Sequence, residues 1–573
     1  MLKQVALIQK LQAVPEGRLD EMVQKIKVQG EHYNMYALSP EQQRMFFIQN
    51  YTEYGKYAYI CPYEIQVDTK EKADLVKEAI QKIVENYESL RTLYFSLGGH
   101  FFQTICAKEE ISVPFRYEDW TKESEERTVL ENKLQEWIDV PFDLEKELPI
   151  RCLYVKKTKS AYSIYVVMHH ICHDAWSIGL LMKNLDAYMK GKEINVEKVH
   201  YIDYVNWRNS ASYQEHEKEQ LEYWKNHLNE EDGRLPLERM EQMDSSETHV
   251  GDVRYELSAS EDCQLKKYLT EKETTPSNFF AAISMLALMN FFKKSRIHMG
   301  TVTFNRDQTD FFNTFGFFSN TVVLSGQLND TSSFDAYLKK VSMDSLQALA
   351  HQEVSFDKIV DAVCQDRNSD QTPLFQAIFL YYGQSILGKG DKKYDFDFLN
   401  LQQNKYALQD LVISVEQYTE TTKVVFTYDT DKLEKEWAER LLQEFKRLVT
   451  AVLSDSSISM AALKKDGIYS VKKTTASILE EQYSPNSEIS EKLVKILEEV
   501  LEIHDFSYDQ SFFQLGCNSI NSIILLEKVN RIFSVDCNVA EIMQYSTVNR
   551  LSGYLAHKKG LDQVETDILY GEF

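Results

Sequence analysis

Apolar positions along the chain keep several different periods, and the changes divide it into blocks. Over residues 1–27 the spacing predicts two short amphipathic helices. Val5, Ile8 and Leu11 form the stripe of the first, Met22, Val23 and Ile26 that of the second, and Pro15-Glu16-Gly17 breaks them apart. From about Ala37 to Lys190 the pattern is mixed. It predicts a helix at Ala73–Glu88, a hairpin turning at Leu97-Gly98-Gly99, an alternating strand over Ser163–Met168 and a helix after Trp176. A second mixed block runs from about Tyr201 to Lys464, with helices at Phe279–Lys293, Phe334–Leu349 and Trp437–Leu453 and strands at His298–Phe304 and Lys423–Tyr428. Apolar periodicity lapses in 465–487, where Lys, Ser and Thr accumulate as in a tether. From Glu488 to Leu555 the period is helical throughout, with Leu493, Ile496, Leu497, Val500 and Leu501 on one face, then helices at Ile520–Phe533 and Val548–Leu555. Residues 558–573 read as a tail, acidic and aromatic at its tip.

With 573 residues the chain exceeds what one core organises, and about three or four folded units are expected. A 43% hydrophobic and 12% aromatic content argues against disorder and for pockets able to enclose an extended substrate. The formal charge of −24, with no basic stripe among aromatics, excludes nucleic acid and acidic membranes as partners. The charged first 27 residues are not a signal peptide, and the longest apolar run, Phe279–Phe292, is too short for a bilayer. Eight scattered cysteines give neither metal-ligand spacing nor a disulfide framework, so no metal, reduced thiols and a cytoplasmic address are expected.

The strand at 163–168 leads into Met168-His169-His170-Ile171-Cys172-His173-Asp174-Ala175-Trp176-Ser177, so the histidines fall where a buried strand ends and a loop begins. An imidazole with an ordinary pKa of about 6.5 can take a proton from an amine nucleophile and return it to a leaving group. A lone histidine in such a place is more often a hydrogen-bonded core residue. Two adjacent ones, with Asp174 four positions beyond His170, narrow the choice without deciding it.

Flanking segments supply the context. Leu38-Ser39-Pro40-Glu41-Gln42-Gln43-Arg44, Glu88-Ser89-Leu90-Arg91-Thr92-Leu93-Tyr94-Phe95 and Tyr201-Ile202-Asp203-Tyr204-Val205-Asn206-Trp207 occur in order around the histidines. Asn305-Arg306, Phe315-Gly316-Phe317-Phe318-Ser319-Asn320-Thr321, His351-Gln352 to Phe356 and Pro373-Leu374-Phe375 follow. This succession resembles the condensation domain of nonribosomal peptide synthetases, whose hallmark is His-His-x-x-x-Asp-Gly. The resemblance implies an α+β fold of two chloramphenicol-acetyltransferase-like halves in a V-shaped pseudo-dimer, at 31–190 and 191–464. It also implies acyltransferase activity at a tunnel between them. By position His170 is the acting histidine, His169 a structural one, and Asp174 the salt-bridge partner of Arg306. A strongly paired carboxylate is a poor base, which fits that role. His173 reads as a loop filler, and Ser177 as a serine nucleophile lacks a nucleophile-elbow pattern. Ala175 replaces the family's glycine. Should that position need φ > 0, the alanine carries about 1 kcal/mol of strain or somewhat more, and its methyl can hinder an approaching acceptor.

Phe512-Phe513-Gln514-Leu515-Gly516-Cys517-Asn518-Ser519-Ile520 opens a helix, and a serine there is commonly an N-cap. Residues 488–557 as a whole resemble a peptidyl carrier domain, a small all-α four-helix bundle whose Leu-Gly-Gly-x-Ser-Leu serine receives 4′-phosphopantetheine. That assigns the covalent cofactor to Ser519, with Cys517 and Ile520 as departures. No adenylation domain fits between the two parts. The resemblance therefore implies an adenylation enzyme that loads the carrier in trans, an upstream donor carrier protein, a phosphopantetheinyl transferase, and a downstream synthetase or releasing enzyme. Residues 1–30 are expected either to dock the upstream partner or to pack on the first half, and Leu569-Tyr570-Gly571-Glu572-Phe573 is a candidate docking peptide. Ester formation or epimerisation on the same fold, and a catalytically weak partner-recruiting platform, remain as alternatives to amide formation.

Overall fold

The alternating segment before the histidines folds, in the computed structural model of this chain, as the strand Tyr162–His169, buried along its whole length. The structure describes residues 1–14, 18–52, 55–122, 127–228, 233–237, 249–328, 332–364, 373–383, 397–401, 407, 409–418, 421–464, 484–501, 503–512, 515, 517 and 519–560. They form two compact units, a larger one of the residues up to 464 other than 98–100, and a smaller one that groups 98–100 with the residues from 484.

In the larger unit, Tyr162–His169 lies at the middle of a five-stranded sheet ordered Asp397–Asn400, Ile60–Val67, Tyr162–His169, Ile150–Lys156, Phe115–Asp119. The helices Lys70–Asn86 and Ala175–Met189 pack on each other and the first also on this strand, with Thr69 capping the first by accepting from the Lys72 N–H. A strand buried on both faces needs such cover, which is why it reads as a near-continuous apolar run. A small second sheet joins Tyr36–Ala37, His100–Ile105 and Thr92–Leu97, and the turn between the last two places Gly98 and Gly99 at φ 57° and 74°. Two successive positive φ values are what a two-residue hairpin turn requires, and glycine adopts them without strain.

The second half has its own six-stranded sheet, ordered Asn320–Gln327, Arg296–Thr303, Ala377–Tyr382, Leu411–Gln417, Thr422–Asp429, Val250–Glu256. Pro276–Phe292, apolar on every side, is buried between this sheet and the helices Phe334–Ala350 and Lys435–Ser454. Among the described residues no single helix is long and apolar enough to cross a membrane. The halves also exchange backbone. Asp397–Asn400, from the second, pairs antiparallel with Ile60–Val67 of the first, Asn400 opposite Tyr63.

The N-terminal helices Leu2–Gln12 and Leu19–Tyr33 spend their apolar stripes on the larger unit: Ile8, Leu11, Val23 and Ile26 are buried. Gln12 reaches Glu145 and the Ser96 carbonyl, and Lys3 pairs with Glu110. Packing on the first half was one of the two expectations for this segment, and these contacts agree with it. Among the described residues the smaller unit holds four helices, Ser487–Leu501, Ser519–Phe533, Val539–Gln544 and Val548–Lys558. The Pro15–Gly17 break, most of the 465–487 tether and the tail tip from Leu569 lie outside the described residues.

Candidate active site

His169 and His170 end the central strand, and the chain turns there through a single 3₁₀ turn, His170–Cys172. The two rings are held differently. His169 is buried; its Nδ1 accepts from the Ile171 N–H at 3.1 Å, so its Nε2 carries the hydrogen and donates to Gln49 Oε1 at 3.1 Å. Burial, with the neighbouring His170 and Arg151 adding to it, pushes its pKa down to about 3. His170 is partly exposed. Its Nδ1 donates to the His173 carbonyl at 2.7 Å, which fixes the tautomer and leaves the Nε2 lone pair without a hydrogen-bond partner among the described residues. Burial lowers its pKa below the ordinary histidine value, so the ring is neutral at pH 7 and able to accept a proton. The edge of Phe317 packs against it, centroids 5.0 Å apart.

Asp174 is wholly buried and fully engaged. As N-cap of Ala175–Met189 its Oδ1 accepts from the Ser177 N–H at 2.8 Å, Oδ2 accepts from the Phe318 N–H at 3.1 Å, and both oxygens lie 3.2 Å from an Arg306 NH2 nitrogen. Arg306 in turn donates to the Phe311 and Thr314 carbonyls and stacks over Phe318, its guanidinium carbon 3.8 Å from the ring centroid. The pair thereby ties the histidine loop of the first half to the 311–318 segment of the second. Gln42 donates to the Ile171 carbonyl, and Tyr201 donates to the Phe317 carbonyl with Ser39 Oγ 2.9 Å from its hydroxyl, adding further ties between these segments.

Three expectations change. His173 is no loop filler: it is buried, with Nδ1 donating to the His169 carbonyl and Nε2 3.1 Å from the Tyr63 hydroxyl. Ser177 is no nucleophile, since its buried hydroxyl donates to the Gly316 carbonyl and accepts from the Gly316 N–H. Ala175 is the exposed first residue of its helix and is absent from the positive-φ positions, so the alanine bears no backbone strain. The scattered cysteines also gain company: one ligand atom each of Cys61, His170 and His173 lie within 4.8 Å of one another. Gln49, Tyr63 and Gln42 were not singled out from sequence. Gln42 and Gln49 sit on the same helix, Pro40–Tyr51, and that spacing was the one available signal.

In the smaller unit Ser519 is the first residue of a fifteen-residue helix; its side chain, Gly516 and Asn518 lie outside the described residues. Cys517, in place of a glycine, turns inward, buried 3.4 Å from the Ser522 hydroxyl and without a positive φ. The N–H groups and dipole of a helix start favour an attached phosphodiester, which suits 4′-phosphopantetheine on a serine in this position.

Residues 32–465 match the family model described as condensation domain. The chain belongs to the condensation-domain family. Residues 491–555 match the model of the phosphopantetheine attachment site, so this condensation domain is followed by a carrier domain that takes covalent 4′-phosphopantetheine. Among curated relatives, bacitracin synthase 2 of Bacillus licheniformis is 25% identical over 439 residues, 75% of this chain and 16% of that protein. Surfactin synthase subunit 2 of Bacillus subtilis (strain 168) is 26% identical over 437 residues, 75% of this chain and 12% of its own length. The chain thus spans under a fifth of these relatives. The fold matches the X-domain from teicoplanin biosynthesis (TM-score 0.63, 16% identity, 75% of this chain and 97% of the other). It also matches a four-domain holo nonribosomal peptide synthetase bound to AMP and glycine (TM-score 0.62, 18% identity, 84% and 38%).

Proposed function

We propose that this condensation–carrier chain joins a donor acyl or peptidyl thioester to an amine, forming an amide, with His170 as the acting residue and the acceptor aminoacyl group tethered through Ser519. Bound to Ser519, 4′-phosphopantetheine supplies the thiol that carries the acceptor as a thioester. His170 Nε2 takes the proton that the amine nitrogen releases as it bonds to the donor carbonyl carbon, and returns it to the sulfur as the carbon–sulfur bond breaks. His173 holds the ring through its carbonyl, and Phe317 screens one side from water. Asp174 and Arg306 position the loop and exchange no proton. The observation that carries this reading is the His170 tautomer, which aims an unprotonated nitrogen out of a ring held neutral by burial.

Condensation and carrier matches are separated only by residues 466–490, too few for an adenylation domain between them. We therefore propose that Ser519, once modified by a phosphopantetheinyl transferase, is loaded by an adenylating enzyme that does not lie between the two domains, and that the donor arrives on a second carrier. In a reconstitution with chemically loaded donor and acceptor, His170→Ala should reduce amide product at least ~100-fold while the pantetheine mass shift persists, and Ser519→Ala should abolish that shift. Retention of product by His170→Ala overturns the assignment. The likeness to an X-domain, whose solved complex with OxyB makes it a binding module, favours a second reading as a recruitment platform. Unchanged product with His170 removed supports that one.

A further inference from the structure

The strand register places the Cys61 thiol beside the acting histidine. Ile60 pairs with His169 and Cys61 with Met168 across the antiparallel ladder, so Tyr59, Cys61 and Tyr63 share a face with Val166, Met168 and His170. The loop then folds His173 back onto that face, against Tyr63. The result is a thiol and two imidazoles whose ligand atoms lie within 4.8 Å of one another, around a position that only His170 exposes to solvent.

Both imidazoles are set for metal ligation. His170 Nδ1 donates to the His173 carbonyl at 2.7 Å and His173 Nδ1 donates to the His169 carbonyl at 3.1 Å, so each ring keeps its lone pair on Nε2. Metal-ligating histidines characteristically give their other N–H to a backbone carbonyl or carboxylate in this way, which fixes ring orientation and raises ligand basicity. His170 Nε2 has no hydrogen-bond partner among the described residues; His173 Nε2 has the Tyr63 hydroxyl at 3.1 Å, a contact that a bound cation would replace. Cys61 Sγ lies 3.8 Å from the Tyr59 carbonyl and is hydrogen-bonded with Tyr63. One thiolate and two neutral imidazoles make a donor set for a borderline-soft late first-row cation, with a fourth position left open.

We propose that Cys61, His170 and His173 form a Zn²⁺ site that occupies the acting nitrogen and thereby switches the condensation centre off. Coordination forms one Zn–S and two Zn–N bonds. The Cys61 thiol proton passes to solvent and no electrons are transferred. The switching part rests on His170 being the acting residue; the site itself does not.

Co²⁺, titrated into the full chain carrying Ser519→Ala so that no pantetheine thiol competes, tests the site. One equivalent should bind with a thiolate-to-cobalt charge-transfer absorption and be displaced by Zn²⁺. Cys61→Ser should lose that absorption and bind Zn²⁺ at least ~10-fold more weakly, and His173→Gln should weaken binding similarly. In the holo protein, Zn²⁺ should inhibit amide formation reversibly by chelator in the parent, while Cys61→Ser, active without metal, should resist it. Absence of the charge-transfer band, or a band that survives Cys61→Ser, overturns the site. A band with no inhibition leaves the site standing and overturns the assignment of the acting nitrogen to His170.

Discussion

Removing the Asp174 carboxylate should damage the fold before it touches the chemistry, and the size of the damage follows from what the carboxylate holds. Asp174 is 0% and Arg306 1% exposed at the side chain. Asp174→Ala deletes a helix N-cap, worth about 1 kcal/mol, and leaves a buried guanidinium without its counter-charge, which costs about 3–5 kcal/mol. Arg306 retains the Phe311 and Thr314 carbonyls and the Phe318 ring, so the lower end applies and the total comes to about 4 kcal/mol. Arg306→Met added to Asp174→Ala removes the stranded charge. The double variant should therefore lie about 2 kcal/mol or more above the sum of the two singles. Urea unfolding followed by tryptophan fluorescence isolates the larger unit, since all six tryptophans (120, 137, 176, 207, 224 and 437) lie within it. Additivity within about 0.5 kcal/mol, or an Asp174→Ala variant of parental stability and no activity, would refute the argument and make Asp174 a chemical participant.

Stability of the larger unit should fall on acidification below pH 6.5. His169, His170 and His173 are held neutral by burial while the unfolded chain binds protons, so their stabilisation is complete above the unfolded value of 6.5 and is lost as pH falls towards their folded values. His169, at about 3, alone accounts for about 2 kcal/mol between pH 6.5 and 5; urea midpoints that stay level over that range would contradict it. The rate of amide formation should be level above pH 6.5 and fall on an acidic limb below it, a limb that His170→Ala lacks. Ala175→Gly should cost at most about 1 kcal/mol and change the condensation rate less than ~2-fold, because no φ > 0 is needed there; a gain of ~10-fold would show that the methyl blocks the acceptor.

The chemistry-bearing positions were legible because each lies in a short stretch whose neighbours are set by local geometry. His169 and His170 close an alternating strand, Asp174 stands where a helix starts, and Ser519 opens a helix of clear period. Long amphipathic elements fell close to their sequence bounds, as with Phe334–Ala350 and Lys435–Ser454. What escaped depends on partners far along the chain. The strand Asp397–Asn400 is four residues long and is defined by pairing with Ile60–Val67, and nothing in its own period announces that. Val539–Gln544 is too short for periodicity, though its Asn538/Glu541 capping box was readable. His173 looked idle because its partners, Tyr63 and the His169 carbonyl, meet it only after the loop closes.

Hydrogen-bond saturation explains why one loop holds both scaffold and chemistry. Asp174, Ser177 and His169 have their donors and acceptors taken by backbone or by buried side chains, and a group so engaged resists proton exchange because any change of protonation breaks bonds that the interior cannot replace. His170 differs by one atom. Its Nδ1 is spent on orientation and its Nε2 is kept in reserve, at the one ring of the three that reaches solvent. Cys61 lies on the same sheet face as this ring, its thiol 3.8 Å from the Tyr59 carbonyl and hydrogen-bonded with Tyr63. An arrangement that leaves a nitrogen unsatisfied for a substrate amine also leaves it unsatisfied for a cation. The thiol that the strand register sets beside it is therefore what makes this condensation centre open to metal control.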